Sequence, residues 1–118
     1  MYDKNLMFRD GSTALSATGN ATLDFKAGDR APIVYEVVVP IAPTGTTPTL
    51  DIKIEESDDN VTFRSFLVLP QITAEGVYHI TGKAPGRYKK ATWTLGGTTP
   101  NFGNVIVAPV PGGLHTSY

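Results

Sequence analysis

Few stretches of this chain run long enough without a proline or a glycine to make a helix. Twelve glycines and nine prolines are spread over 118 residues. A proline inside a helix removes a hydrogen bond and clashes with the preceding turn, and helical periodicity is hard to find here. What recurs is alternation of apolar and polar residues, the mark of strands whose successive side chains point to opposite faces.

"TLDIKIE" is the cleanest case, with Leu50, Ile52 and Ile54 on one face and Asp51, Lys53 and Glu55 on the other. "ATLDF" pairs Leu23 with Phe25 ahead of the turn "KAGD". "VTFRSFLVL" puts Val61, Phe63, Leu67 and Leu69 on one parity. "GVYHITG" sets Val77, His79 and Thr81 against Tyr78 and Ile80, and "RYKKATWTL" sets Ala91, Trp93 and Leu95 against Tyr88, Lys90 and Thr92. "PIVYEVVV" is apolar apart from Glu36, which predicts a strand buried on both faces or in an interface. "NFGNVIVAP" closes the regular part. About seven or eight strands at this spacing predict a single all-β domain, a jelly roll or β-sandwich of antiparallel strands. Leu50, Ile52, Ile54, Phe63 and Trp93 are its expected core.

The ends read differently. Residues 1–20 are polar with isolated apolar anchors at Leu6, Met7, Phe8 and Leu15, the pattern expected of an N-terminal arm. Residues 109–118, "PVPGGLHTSY", hold too much proline and glycine for a central strand. The sandwich proper is therefore expected over residues 21–108.

Composition excludes several functions. The chain has no cysteine, so neither a disulfide scaffold nor a thiolate zinc site can support it. The formal net charge of −1 supplies no field toward nucleic acid or anionic lipid. The opening "MYDKNLMFRDGS" mixes Asp3 and Asp10 with Lys4 and Arg9 and lacks the apolar run of a secretory signal. The longest apolar run, "VVVPIAP", is far short of the ~20 residues that cross a bilayer as a helix.

Four features could carry chemistry. Glu56, Asp58, Asp59 and Asn60 crowd one bend. A calcium loop of the EF type counted from Asp58 would need glycine sixth and glutamate twelfth, where Phe63 and Leu69 stand. A glycosidase pair must face across a cleft, whereas neighbours on a tight bend point apart. Serine, aspartate and asparagine are favoured in turns because their side chains bond the nearby backbone, and a hairpin turn is the expected reading. His79 in a strand and His115 in the tail have neither a G-x-S-x-G elbow nor an H-E-x-x-H motif around them. Lys83, Arg87, Lys89 and Lys90, interleaved with Tyr88 and Trp93, resemble a nucleic-acid platform but without the basic excess that phosphate binding calls for. "LGGTTP" lacks the lysine and helix of a phosphate loop. No catalytic residue, metal ligand or cofactor is expected. The segment "VPIAPTGTTPT" is restrained by Pro40, Pro43 and Pro48, which lowers the entropy lost when such a segment docks. The whole reads as a binding or architectural part.

The order of motifs is similar to one family. "LDIKIEESDDNVTF", then "LPQITAEGVYHI", then "GRYKKATWTLGGTTPNF" resembles the small jelly-roll capsid cement, or decoration, proteins of tailed bacteriophages of the Bordetella-phage type. The matching positions are Glu55 to Asp59, Phe63, Pro70 to Ile72, Arg87 with Tyr88, and Gly96 to Thr98, and the likeness covers about residues 20–110. Asn60 stands where glycine often follows the aspartate pair. The resemblance implies a structural virion protein on the outer surface of the expanded capsid, made in the host cytoplasm. It would clamp adjacent major capsid proteins as a homodimer or homotrimer on local symmetry axes, with no nucleic acid or membrane partner. Binding only the assembled shell would stabilise that shell, and many copies would add avidity.

On that expectation Leu6, Met7 and Phe8 are candidate capsid contacts. Ile33, Tyr35, Val37 and Val39 are candidates for the interface between copies. The rival expectation is a carbohydrate- or receptor-binding β-sandwich module of a phage tail or an enzyme. It needs an exposed aromatic platform, with Tyr78 and Tyr88 as the candidates and Trp93 and Tyr118 behind them.

Overall fold

Alternation in "TLDIKIE" becomes part of a long strand in which Leu50, Ile52 and Ile54 are at most 1% exposed, while Asp51 and Lys53 lie in solvent. The computed structural model describes residues 7–26, 28–29 and 31–111. They form eight strands: β1 (Arg9–Asp10), β2 (Gly19–Asp24), β3 (Ile33–Val39), β4 (Thr44–Ser57), β5 (Arg64–Val68), β6 (Gly76–Gly82), β7 (Tyr88–Asn101) and β8 (Ile106–Pro111). There is no helix among the described residues. Every strand pairing is antiparallel. Two four-stranded sheets result, β1-β8-β3-β6 and β2-β7-β4-β5, and they enclose one apolar core as a β-sandwich.

The core takes the inward parity of each sheet. Tyr35, Val37, Val39 and Val107 come from the first, and Leu50, Ile52, Ile54, Ala91 and Trp93 from the second. Tyr35 packs between Phe8 and Phe66, with ring centroids 6.3 Å away on either side. Phe63 is corrected: it is half-buried and outside the core, with Lys90 Nζ 4.7 Å from its ring centre. A register shift between Ile54 and Glu55 adds a residue to one side of the β4–β5 ladder, and such a bulge changes which side chains of the neighbouring strand face inward. Phe66 packs against the core instead.

Among the described residues, parts of both expected arms pack into the sandwich. Phe8 and Leu15 are 5% and 2% exposed and belong to the core. The Phe8 amide donates to Val107 O, the Leu15 amide to Gly103 O, and the Phe102 amide to Leu15 O. At the other end β8 runs on through Pro109 to Pro111, paired with β3. The Val107 carbonyl accepts from Phe8 on the side away from β3, so the same-parity Pro109 and Pro111 also turn their nitrogens away from β3. No donor is missed from the β3 ladder there, and among the described residues β1 pairs with β8 only at Ile106 and Val107.

Chain pairs β3–β4 and β7–β8 pass from one sheet to the other side by side, since β3 neighbours β8 and β4 neighbours β7. Both crossings carry the same four residues, Gly-Thr-Thr-Pro, at 45–48 and 97–100. Their backbones match as well: φ is 108° and 96° at Gly45 and Gly97, and 46° and 47° at Thr47 and Thr99. Thr46 lies opposite Thr98, with register shifts on either side. A Cβ on Gly45 or Gly97 would sit 2.5 Å from the carbonyl oxygen of Thr99 or Thr47, so neither position accepts a side chain. Two β-branched residues at positive φ mark this corner as strained.

Candidate functional site

The acidic bend is a turn that uses up its own polar groups. Ser57 Oγ accepts the amides of Asp59 (3.2 Å) and Asn60 (3.0 Å) and donates to Asp59 Oδ1 at 2.9 Å. Asp59 Oδ1 in turn accepts the amides of Val61 and Thr62 at 2.9 and 3.0 Å. Those two backbone donors and the Ser57 hydroxyl hold the Asp59 carboxyl down to about 2. Asn60 has φ 62°, a left-handed position that asparagine tolerates. Among the described residues no group of three or more histidine, aspartate or glutamate side chains is placed to hold a metal ion.

Behind the turn lies an ionic cluster whose partners are far apart in the sequence. Glu56, on the inward parity of β4, accepts the Gly86 amide at 2.9 Å and Arg64 Nε at 2.6 Å. Arg64, and secondarily the Gly86 amide, pull the Glu56 carboxyl below its ordinary value against the opposing effect of burial. Arg87 grips Asp24 through two bonds of 2.9 and 2.5 Å, which drives the Asp24 carboxyl well below the usual range. Lys89 is completely buried, with Nζ 3.2 Å from Asp29 Oδ1. Three of the four basic residues that resembled a nucleic-acid platform are thus engaged: Arg87 and Lys89 by carboxylates, Lys90 by the Phe63 ring. His79 pairs with Glu36 directly across the β3–β6 ladder at 2.7 Å.

Tyr78 and Tyr88 do not come together. Tyr78 lies opposite Val37 on the inner side of the first sheet and packs against the core, its hydroxyl donating to Ala74 O at 2.6 Å. Tyr88 lies opposite Ser57 and Asp24 in the second sheet, with the Arg87 guanidinium 4.9 Å from its ring centre. Trp93 is core, and Tyr118 lies outside the described residues. Tyr78 and Tyr88 thus lie in different sheets and share no common platform.

The proposed contact residues also need correcting. Phe8 is core and Met7 half-buried, while Leu6 lies outside the described residues. Tyr35, Val37 and Val39, at 0–2% exposure, face the opposite sheet, and Ile33 packs against the core. None of these four is on an outer surface. The reason is parity: "PIVYEVVV" is apolar on both faces, and the face turned outward holds Val34, Glu36 and Val38.

That outer face of the first sheet is the unusual surface of the molecule. By register Val34 is flanked by Thr81 and Val110, Glu36 by His79 and Ala108, and Val38 by Val77 and Ile106. Aliphatic side chains thus surround one central ion pair; Ala108 and Val110 are already covered, at 1% and 8% exposure, and Val34 and Val38 are half-buried. Val77 is 56% exposed, and Val34, Glu36, His79, Thr81 and Val110 line a shallow groove of about 340 Å³. At its margin β6 pairs regularly with β3 over seven residues without a bulge and meets no strand on its other side among the described residues. A long, regular edge of this kind is a template for another chain.

Compared with known protein families and with characterised proteins, the chain matches none.

Proposed function

We propose that this chain is a jelly-roll cement protein of a tailed-phage capsid, which docks on the expanded shell and clamps adjacent major capsid proteins. The motif order from Leu50 to Phe102 supports the family reading. The strand orders 1-8-3-6 and 2-7-4-5, wound by two chain pairs that cross between sheets together, support the jelly-roll reading. The observation that carries the architectural role is the aliphatic outer face of the first sheet. A solvated antiparallel sheet alternates apolar-in with polar-out, and an aliphatic face beside an open edge is the signature of a surface that is covered in use.

In this reading the face formed by Val34, Val38 and Val77 seats on the shell, and the open edge of β6 is where a neighbouring copy or a capsid strand adds on. Phe8 serves the fold rather than the shell. Many weak, symmetry-related contacts then stabilise the assembled shell by linkage and avidity.

Co-sedimentation with expanded capsids stripped of decoration, run beside unexpanded procapsids, tests the role. Saturable binding to the expanded shell alone, with a raised capsid melting temperature, is expected. Binding to neither particle overturns it.

A further inference from the structure

Lys89 is on the inward parity of β7, opposite Glu56 and two residues before Ala91. Its amino group is 3.2 Å from Oδ1 of Asp29, and the two side chains are 0% and 1% exposed. The Gly86 carbonyl accepts a second Nζ proton, and the Phe25 ring centre is 5.1 Å from Nζ. The Asp29 carboxyl is fixed on its other side, where Oδ2 accepts the Ala84 amide at 2.9 Å, and the Asp29 amide returns a bond of 3.0 Å to Ala84 O. Glu56 accepts the amide of the same Gly86 at 2.9 Å.

An amine and a carboxyl whose side chains are buried and in contact are reactants as well as an ion pair. Fixed orientation replaces the entropy that a reaction between free molecules must lose. We propose that Lys89 and Asp29 condense to an intramolecular amide, joining β7 to the β2–β3 connection.

The step balances without a co-reactant. With a proton passed from Nζ to Oδ1, the neutral amine attacks Cγ of Asp29. The Ala84 amide bonded to Oδ2 stabilises the negative charge that develops there. Oδ1 takes a second proton from nitrogen and leaves as water, so one ammonium and one carboxylate become one amide and one water. The buried hydroxyl of Tyr35 has no hydrogen-bond partner among the described residues. Burial, and secondarily the Asp29 charge, keep it protonated, which leaves a neutral donor on the Asp29 side of the core. The bond would close a loop between residues 60 apart in a chain with no cysteine to do the same.

The test is the intact mass of the purified full chain after incubation in the folded state. A mass about 18 Da below that of the sequence is expected, one water lost, with a digest in which the peptide containing Asp29 is joined to the one containing Lys89. Lys89→Arg and Asp29→Ala should each restore the full mass. Asp29→Asn should instead lose about 17 Da, as ammonia leaves in place of water. The decisive measurement is on the unaltered chain, so a variant that fails to fold does not compromise it. The full sequence mass overturns the proposal. So does a loss that maps elsewhere, for instance to an imide at Asp10–Gly11.

Discussion

The two sheets pack on one core yet present opposite chemistry to the outside. Across the second sheet the outward parity runs Asp51, Lys53 and Glu55 on β4, Lys90, Thr92 and Thr94 on β7, and Asn20 and Thr22 on β2, with Val68 on the edge strand as the aliphatic exception. Across the first sheet the same parity runs Val34 and Val38 on β3, Val77 and Thr81 on β6, and Ile106, Ala108 and Val110 on β8, around the Glu36–His79 pair. A polar outer face costs nothing in solvent. An aliphatic one gains only if something covers it, at roughly 25 cal/mol for each Å² removed from water. The difference is that one sheet turns polar residues outward and the other turns mostly aliphatic ones.

Charging the two faces separately is the strongest test of that contrast. Val34→Asp with Val77→Asp should weaken binding to expanded capsids by about thirtyfold or more, the effect of losing a central interface contact. Thr92→Asp with Thr94→Asp on the other sheet should leave it unchanged. Equal losses from the two pairs, read by co-sedimentation titration, would break the comparison.

A second test stays within one strand. Val37→Ala should cost about 2 kcal/mol in urea unfolding, because a buried cavity is left. Val38→Ala should cost under about 0.5 kcal/mol, as at an ordinary surface site. Similar midpoints for the two would mean that the parity of β3 has been misassigned.

Acid should act first on the second sheet, whose strand ends and turn hold the depressed carboxyls. Asp24, Glu56 and Asp59 all have folded pKa values below their ordinary ones. Their contribution is therefore complete above an unfolded value of about 4. It disappears as pH falls through the folded values, for Asp59 at about 2. Thermal unfolding midpoints should be flat from neutrality to about pH 4.5 and fall steeply below about pH 4. A midpoint that already falls between pH 7 and 5 would point to groups other than these three.

The smallest effect is expected at the centre of the aliphatic face. Glu36 and His79 form an exposed pair, with side-chain exposures of 18% and 51%, and such pairs contribute about 0–1 kcal/mol. Glu36→Gln should shift stability by less than about 1 kcal/mol, measured by chemical denaturation. A larger loss would show that the pair serves the free fold as well as the face.

Much of the fold was legible because strand patterning is local. Alternation in "TLDIKIE" and "ATWTL" marked β4 and β7 and their inward residues correctly. The Ser57–Asn60 turn was equally readable, since its bonds run between residues two or three apart. The Lys89–Asp29 pair was not, because its partners are 60 residues apart and a lysine next to Lys90 looks like a solvated charge. The twin Gly-Thr-Thr-Pro segments were visible as letters, but only their antiparallel pairing explains why both need glycine.

By itself, then, the sequence determined an all-β chain, its approximate strands, its turn chemistry and the absence of cysteine cross-links, all properties of residues near one another. Which parity of an apolar strand faces inward was decided only in three dimensions. Tyr35 went inward between Phe8 and Phe66, and Val34 and Val38 were left outside. Packing likewise decided residues near both ends of the described chain: Phe8 and Leu15 join the core, and β8 keeps its prolines because their nitrogens turn away from β3. A side chain's face depends on what the rest of the chain brings against it, and that is a tertiary quantity.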